Sequence, residues 1–141
     1  MVKNYLYGVK SIFNFLLVVP VLLISVQTVH ASHIKTGYEA LKVLDYFKAK
    51  KSFTKGMKYN HEVGSYGLSI VFSRNDNPFY NKDSAYSYIV ISDTSWDNTK
   101  ERKKEKWQEY GWSRSSIDSM KIVISSLFYE EVRKTHTVSA Y

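Results

Sequence analysis

The chain has 141 residues, carries a net charge of +7, and contains no cysteine. The missing cysteines exclude disulfide bonds, thiol catalysis, cysteine-based zinc sites and an acylated-cysteine anchor. The length suits one domain with one modest hydrophobic core.

The first 31 residues predict a secretory signal peptide that is not part of the fold. Two lysines precede an apolar run at residues 12–26, and Val29 and Ala31 occupy the positions that a signal peptidase reads. The run is short for a membrane span, which needs about 20 apolar residues. We therefore expect export, with cleavage that leaves residues 32–141 as the mature domain; an uncleaved N-terminal anchor is the alternative.

The net charge of the mature domain limits the classes of partner that we expect it to bind. Removal of Lys3 and Lys10 with the leader lowers the net charge from +7 to +5. Nucleic acid is not an expected partner outside the cytoplasm. A basic surface there would meet acidic lipid or glycan headgroups or an acidic protein face, although solubility alone also explains the charge.

Residues 36–59 predict two helices with a break near Leu44 and Asp45, where Asp45 can cap the second helix. The apolar positions of the second helix recur at steps of three and four and are Tyr46, Ala49, Phe53 and Met57. Residues 63–74 predict a third helix, in which Gly64 and Gly67 indicate close approach to a neighbour. A strand over residues 68–72 is the alternative, because that stretch is short and rich in branched side chains.

The segment 75–83, NDNPFYNKD, predicts a connection between helices. Asn77 and Pro78 form a turn pair, and Asn81 or Asp83 can cap the fourth helix, which starts there. Calcium loops need carboxylates at alternate positions and a glycine turn. Two of the five Asn and Asp side chains here are carboxylates and the segment has no glycine, so no metal site is expected.

A fifth helix is predicted between a capping box at Asn98 and Glu101 and a stop at Gly111. The tryptophans that bracket it are Trp96, Trp107 and Trp112. They could form a stacking platform for a ligand, but the pattern favours packing of this helix onto its neighbours.

The sixth predicted helix has an apolar stripe formed by Ile117, Met120, Ile124 and Leu127. Ser115 or Ser116 is predicted to cap it, and residues 134–136 to end it. Residues 137–141 then predict the opening turn of a further helix. We therefore expect that the domain is shortened at its C-terminal end or belongs to something longer.

Two segments resemble tetratricopeptide-type helical hairpins, over about half of the mature chain. The family's alternation of large and small residues is matched by Tyr46, Ala49, Phe53 and Gly56, by Ala85, Ile89 and Ser92, and by the pair Tyr66 and Gly67. The chain departs from the family in its long connection at residues 75–82 and in lacking the proline that ends a repeat.

An exported start of this type, rich in tyrosine and lysine, is similar to the N-terminal portions of large cell-envelope proteins of Bacteroidetes-type bacteria. The resemblance implies an all-α domain of antiparallel hairpins stacked as a short solenoid. It implies a non-catalytic scaffold that binds other envelope proteins, in the periplasm or at the outer membrane of a Gram-negative cell. Membrane association is expected only through an uncleaved leader or a partner.

The residues predicted to line a partner-binding groove are Tyr66, Ser69, Ser73, Arg74 and Asn77. No paired histidines, nucleophile elbow or phosphate-binding glycine loop occurs in the sequence, so we expect no catalytic residue and no cofactor. The alternatives are a glycan- or peptidoglycan-binding module that uses the three tryptophans, and a small secreted hydrolase whose site is assembled from distant residues.

Overall fold

The structure is a computed structural model that describes residues 33–138, with side chains described through residue 134. The described residues form six helices and no strand, which confirms the all-α prediction and the helix at residues 68–72. The predicted signal peptide lies outside the described residues. The helices are α1, described over residues 33–42, α2 (Tyr46–Met57), α3 (His61–Ser73), α4 (Lys82–Trp96), α5 (Glu101–Gln108) and α6 (Arg114–Val138).

The break between α1 and α2 occurs where it was predicted. Leu44 adopts a left-handed conformation (φ 59°), its N–H donates to the carbonyl of Leu41 at 3.1 Å, and the N–H of Asp45 donates to the carbonyl of Ala40 at 2.9 Å. This is the Schellman pattern, which usually has glycine at the left-handed position. The carboxylate of Asp45 then accepts from the N–H of Lys48 at 2.9 Å, which confirms the predicted cap.

The core forms around Phe53, which is fully buried between α1 and α3. Glycines make this packing close: a Cβ added to Gly67 would lie 2.4 Å from the Phe53 ring, and one added to Gly64 would lie 2.7 Å from the Cα of Met57. The predicted close approach is confirmed, because no larger residue fits at either position without movement of its neighbour. The contacts also set α2 and α3 antiparallel.

The segment 75–83 performs the structural task predicted for it. The Asn77 amide donates to the carbonyls of Val71 at 2.9 Å and Arg74 at 2.7 Å, and its oxygen accepts from the N–H of Phe79 at 2.7 Å. Asn81 accepts from the N–H of Ser84 at 2.7 Å and caps α4. The amides therefore end one helix and start the next.

Two predicted helix starts are wrong. Lys100 precedes α5 without a side-chain cap, and Glu101 pairs with Lys104 at 2.7 Å instead of completing a capping box with Asn98. At α6, Ser113 rather than Ser115 or Ser116 accepts from a first-turn amide, the N–H of Ser116, at 3.2 Å. In both places a capping side chain was available one or two residues from the true boundary.

The predicted end of α6 at residues 134–136 is also wrong, because the helix continues to Val138. The sequence there contains neither glycine nor proline, so nothing forces the backbone out of helical geometry. The stop at Gly111 is confirmed by its positive φ of 80°.

Asp93 joins α4 to α6. Its carboxylate oxygens lie 2.7 Å from the Arg114 guanidinium and 2.7 Å from the Lys121 ammonium. The hydrogen bond from Lys121 lowers the pKa of Asp93, with the charge of Arg114 acting in the same direction against the opposing effect of burial. Together with the ion pair between Lys82 and Glu131, these contacts set α4 and α6 antiparallel.

We expect Asp93→Asn to lower the free energy of unfolding by about 1 kcal/mol at neutral pH. A lowered pKa means that the carboxylate stabilises the fold above its unfolded pKa of about 4 and loses that contribution as the pH falls through the lower folded value. The difference between wild type and variant should therefore shrink below about pH 4. Urea unfolding across pH measures it, with Asp97→Asn as the control; a difference that persists into acid would contradict the pairing.

Candidate docking surfaces

Four of the five groove residues predicted from the sequence are buried, namely Tyr66, Ser69, Ser73 and Asn77. The Ser69 hydroxyl donates to the carbonyl of Tyr66 at 2.7 Å, and the Ser73 hydroxyl donates to that of Ile70 at 3.0 Å. The sulfur of Met120 on α6 lies 3.9 Å from the Ser73 hydroxyl. Because α6 packs over this part of α3, the four side chains do not line an open groove, and the prediction is corrected on this point.

Arg74 is the exposed member of the predicted set, but its guanidinium is already engaged. It donates to the carboxylate of Asp76 at 3.3 and 3.2 Å, and the Tyr46 hydroxyl donates to the same carboxylate at 2.8 Å. These bonds lower the pKa of Asp76, Arg74 contributing most. The cluster fixes the connection after α3 against the start of α2.

The tryptophans lie mostly in the core. Trp107 and Trp112 are 1% and 0% exposed, and the half-buried Trp96 packs edge to face on Trp112 with ring centroids 4.6 Å apart. The predicted packing role is confirmed for the two buried rings. A sugar-stacking platform needs exposed ring faces, which Trp107 and Trp112 do not offer.

A polar cavity of about 610 Å³ lies beside Glu62, a buried carboxylate that the sequence analysis did not single out. The Lys103 ammonium lies 2.6 Å from Glu62 and joins α5 to the first turn of α3. Three hydroxyls line the wall of the cavity, those of Thr94, Ser95 and Thr99. Each donates to a backbone carbonyl three or four residues earlier in the chain. Glu62, Lys103 and the three hydroxyls are thus used within the fold.

The first exposed surface of interest is the outward side of α6. We call it the α6 outer face, and its members are Ser119, Ile122, Val123, Ser126 and Tyr129. Ile122 is 72% exposed and Tyr129 is 69% exposed. The nearby charged residues Asp118 and Lys121 turn toward Arg114 and Asp93. The α6 outer face therefore carries exposed apolar groups, with the ion pair between Glu130 and Arg133 at its C-terminal end.

The second exposed surface is the corner where α1 meets α2. We call it the α1–α2 corner, and its members are Val43, Leu44, Phe47, Lys48, Lys51 and Lys55. Its apolar side chains are among the most exposed in the described part of the chain, and Phe47 packs on Phe79 with ring centroids 4.7 Å apart. Lys50 lies beside it with its ammonium 4.1 Å from the centre of the Phe79 ring. The corner therefore combines apolar tips with a run of positive charge.

Metal binding and membrane spanning find no support in the described residues. Across residues 33–134, no three His, Asp or Glu side chains meet in a group that could hold a metal ion. No described helix combines the length and apolarity needed to cross a bilayer.

Comparison with protein-family models, curated proteins and solved structures finds no match to this chain. The two exposed surfaces are therefore interpreted from their own chemistry.

Proposed function

We propose that the chain is a non-catalytic protein–protein interaction module of the bacterial cell envelope. In this proposal the leader directs export to the periplasm of a Gram-negative cell, and the helical hairpins stack as a short solenoid of tetratricopeptide type. The α6 outer face then receives a helical segment of another envelope protein. The observation that carries the proposal is the exposure of the apolar side chains of Ile122, Val123 and Tyr129 along about two turns of α6.

The α6 outer face differs from the solvent-facing sides of α2 and α5. On α2 the outward positions are mostly lysines, such as Lys51 and Lys55, and on α5 they are mostly charged. Surface helices normally place polar and charged side chains outward, and an exposed apolar stripe marks an interaction site. The exposed apolar stripe on α6 therefore indicates that this side of the helix contacts a partner.

The small residues of the α6 outer face suit a helix as the partner. Ser119 and Ser126 stand one heptad apart, with Ile122 and Tyr129 following each by three residues. Small side chains let a second helix approach closely while the larger ones fill the space beside it. The same alternation of small and large residues operates inside the fold, where Ala49 and Gly56 flank Phe53 on α2.

The expected affinity is modest. Full burial of Ile122, Val123 and Tyr129 would contribute about 1.5–3 kcal/mol each, before the cost of losing translational and side-chain freedom. Dissociation constants in the micromolar range follow, which suit a scaffold whose avidity comes from several modules.

Site-specific photocrosslinking in intact cells tests the proposal. With p-benzoylphenylalanine in place of Ile122, we expect a discrete protein adduct whose crosslinked peptide is a helical segment with an apolar stripe. The same photoreactive group in place of Arg102, on the exposed side of α5, should give no such adduct. Tyr129→Glu should weaken the Ile122 adduct at least tenfold without changing the helical content, because it buries a charge in the interface. Adducts of equal yield from both positions, or none from Ile122, would contradict the proposal.

A further inference from the structure

The α1–α2 corner exposes large apolar side chains to an unusual extent. Val43 is 74% exposed, Leu44 is 55% exposed and Phe47 is 68% exposed. Val43 and Leu44 stand at the turn where two helices meet and protrude from the fold. Phe47 follows on the first turn of α2, where it and Phe79 border a shallow, open depression of about 730 Å³. Protruding apolar side chains bury little area against a flat protein surface but can enter a soft layer such as the headgroup region of a bilayer.

The left-handed backbone conformation of Leu44 is energetically unfavourable. A left-handed conformation costs a residue with a Cβ roughly 1–2 kcal/mol, and glycine or asparagine would avoid part of it. Leu44 nevertheless occupies this position with its side chain largely in solvent. Neither the backbone geometry nor the core requires leucine here, so its side chain is available to an apolar environment outside the chain.

Positive charge follows the apolar side chains along α2, next to the exposed carboxylate of Asp45 that caps the helix. Lys48, Lys51 and Lys55 are exposed, and among the described residues none of them forms an ion pair. Most acidic groups elsewhere on the described surface have a basic partner, as Asp93 does. Lysine suits a membrane interface because its alkyl stem can lie along apolar groups while its ammonium reaches the phosphates.

We propose that the α1–α2 corner binds the surface of a bilayer that contains anionic phospholipid. Val43, Leu44 and Phe47 enter the headgroup region, and the three lysines contact lipid phosphates. Each lysine near an anionic surface and each buried apolar side chain adds to the affinity, so the combination gives reversible peripheral binding without a membrane span. The corner shares no residue with the α6 outer face, and the chain could hold a membrane and a protein partner together.

The cysteine-free sequence makes a direct test simple. Single cysteines in the full chain, Val43→Cys and Ile122→Cys, place an environment-sensitive nitrobenzoxadiazole dye at positions that are 74% and 72% exposed. With vesicles of phosphatidylcholine and phosphatidylglycerol, we expect the dye at position 43 to shift to the blue and to be quenched by spin-labelled lipid. The dye at position 122 should stay unchanged. Both proteins carry the same N-terminal segment, and the lysine variants described next show whether the response depends on the corner.

Variants with intact folds then separate the apolar and electrostatic contributions. Leu44→Asn keeps a residue that tolerates the left-handed conformation, and should lower vesicle affinity about tenfold. The double change Lys51→Gln and Lys55→Gln should lower it about 30-fold. The matched double change Lys100→Gln and Arg102→Gln removes the same charge from the N-terminal end of α5 and the residue before it, and should have little effect.

Three results would overturn the proposal. The first is a dye at position 43 that does not respond to vesicles or responds no more than the dye at position 122. The second is an equal response to vesicles of phosphatidylcholine alone, which would show that binding does not depend on anionic lipid. The third is an equal response to soluble polyglutamate, which would assign the corner to an acidic protein.

Discussion

Replacing Trp112 with alanine is expected to lower the free energy of unfolding by about 3–5 kcal/mol. Trp112 is fully buried, and its indole N–H donates to the hydroxyl of Ser92 at 2.9 Å. Its ring also packs on Trp96 and connects the turn before α6 to α4. Loss of the ring would leave a cavity and an unpaired buried hydroxyl at the point where three helices meet. Urea unfolding followed by circular dichroism measures the change.

Two smaller substitutions separate the contributions that packing and hydrogen bonding at Trp112 make to the free energy of unfolding. Trp112→Phe keeps part of the ring but leaves Ser92 without its donor, so it should cost less than Trp112→Ala. Ser92→Ala leaves the indole N–H unpaired and should cost about 1–3 kcal/mol. If Trp112→Ala cost less than about 1 kcal/mol, a core position for this ring would be untenable.

The parts of the fold that were predicted correctly are those set by neighbours in sequence. The spacing of Tyr46, Ala49, Phe53 and Gly56 places all four on one side of a helix whatever that side packs against. Asp45 and Asn81 cap because their side chains reach amides three residues later. Such choices need no tertiary information, and the structure confirms them.

At the helix starts that were predicted wrongly, several neighbouring residues could each have served as the cap. Near α6, Ser113, Ser115 and Ser116 lie within four residues, and each has the chemistry of a cap. The selected serine depends on where Trp112 is anchored in the core, which local sequence does not specify. At α5, Asn98 lost its predicted role because the helix began only at Glu101.

The predicted groove failed for a longer-range reason. Ser73 is covered by Met120, which lies 47 residues later in the chain, and a sequence pattern does not reveal that contact. The two exposed surfaces were missed because exposed and buried apolar residues look alike in sequence. One usable signal existed: α6 carries apolar residues on two sides, with Ile122 and Tyr129 outside the stripe of Ile117 and Ile124.

The second large effect is expected from Gly67→Ala, which should lower the free energy of unfolding by about 2–3 kcal/mol. Alanine favours helix over glycine by about 1 kcal/mol, so the helix itself would gain. The loss arises because the new Cβ would lie 2.4 Å from the Phe53 ring, and a Cβ added to Gly37 of α1 would also lie only 2.6 Å from that ring. The ring has no space to move, so α2 and α3 must separate. Thermal and urea unfolding measure the loss.

A double-mutant cycle with Phe53→Leu identifies the cause. Leucine lacks Cε1 and Cζ, two of the three ring carbons that crowd Gly67, so Gly67→Ala should become clearly less destabilising in that background, with a coupling energy of about 1–2 kcal/mol. Gly64→Ala is the matched control, because its Cβ would meet the backbone of Met57 at 2.7 Å and Phe53→Leu cannot relieve that contact. Gly64→Ala should remain destabilising in both backgrounds. Additive effects of Gly67→Ala and Phe53→Leu would mean that the ring and the glycine are not in contact. The close packing of α2 on α3 would then require another explanation.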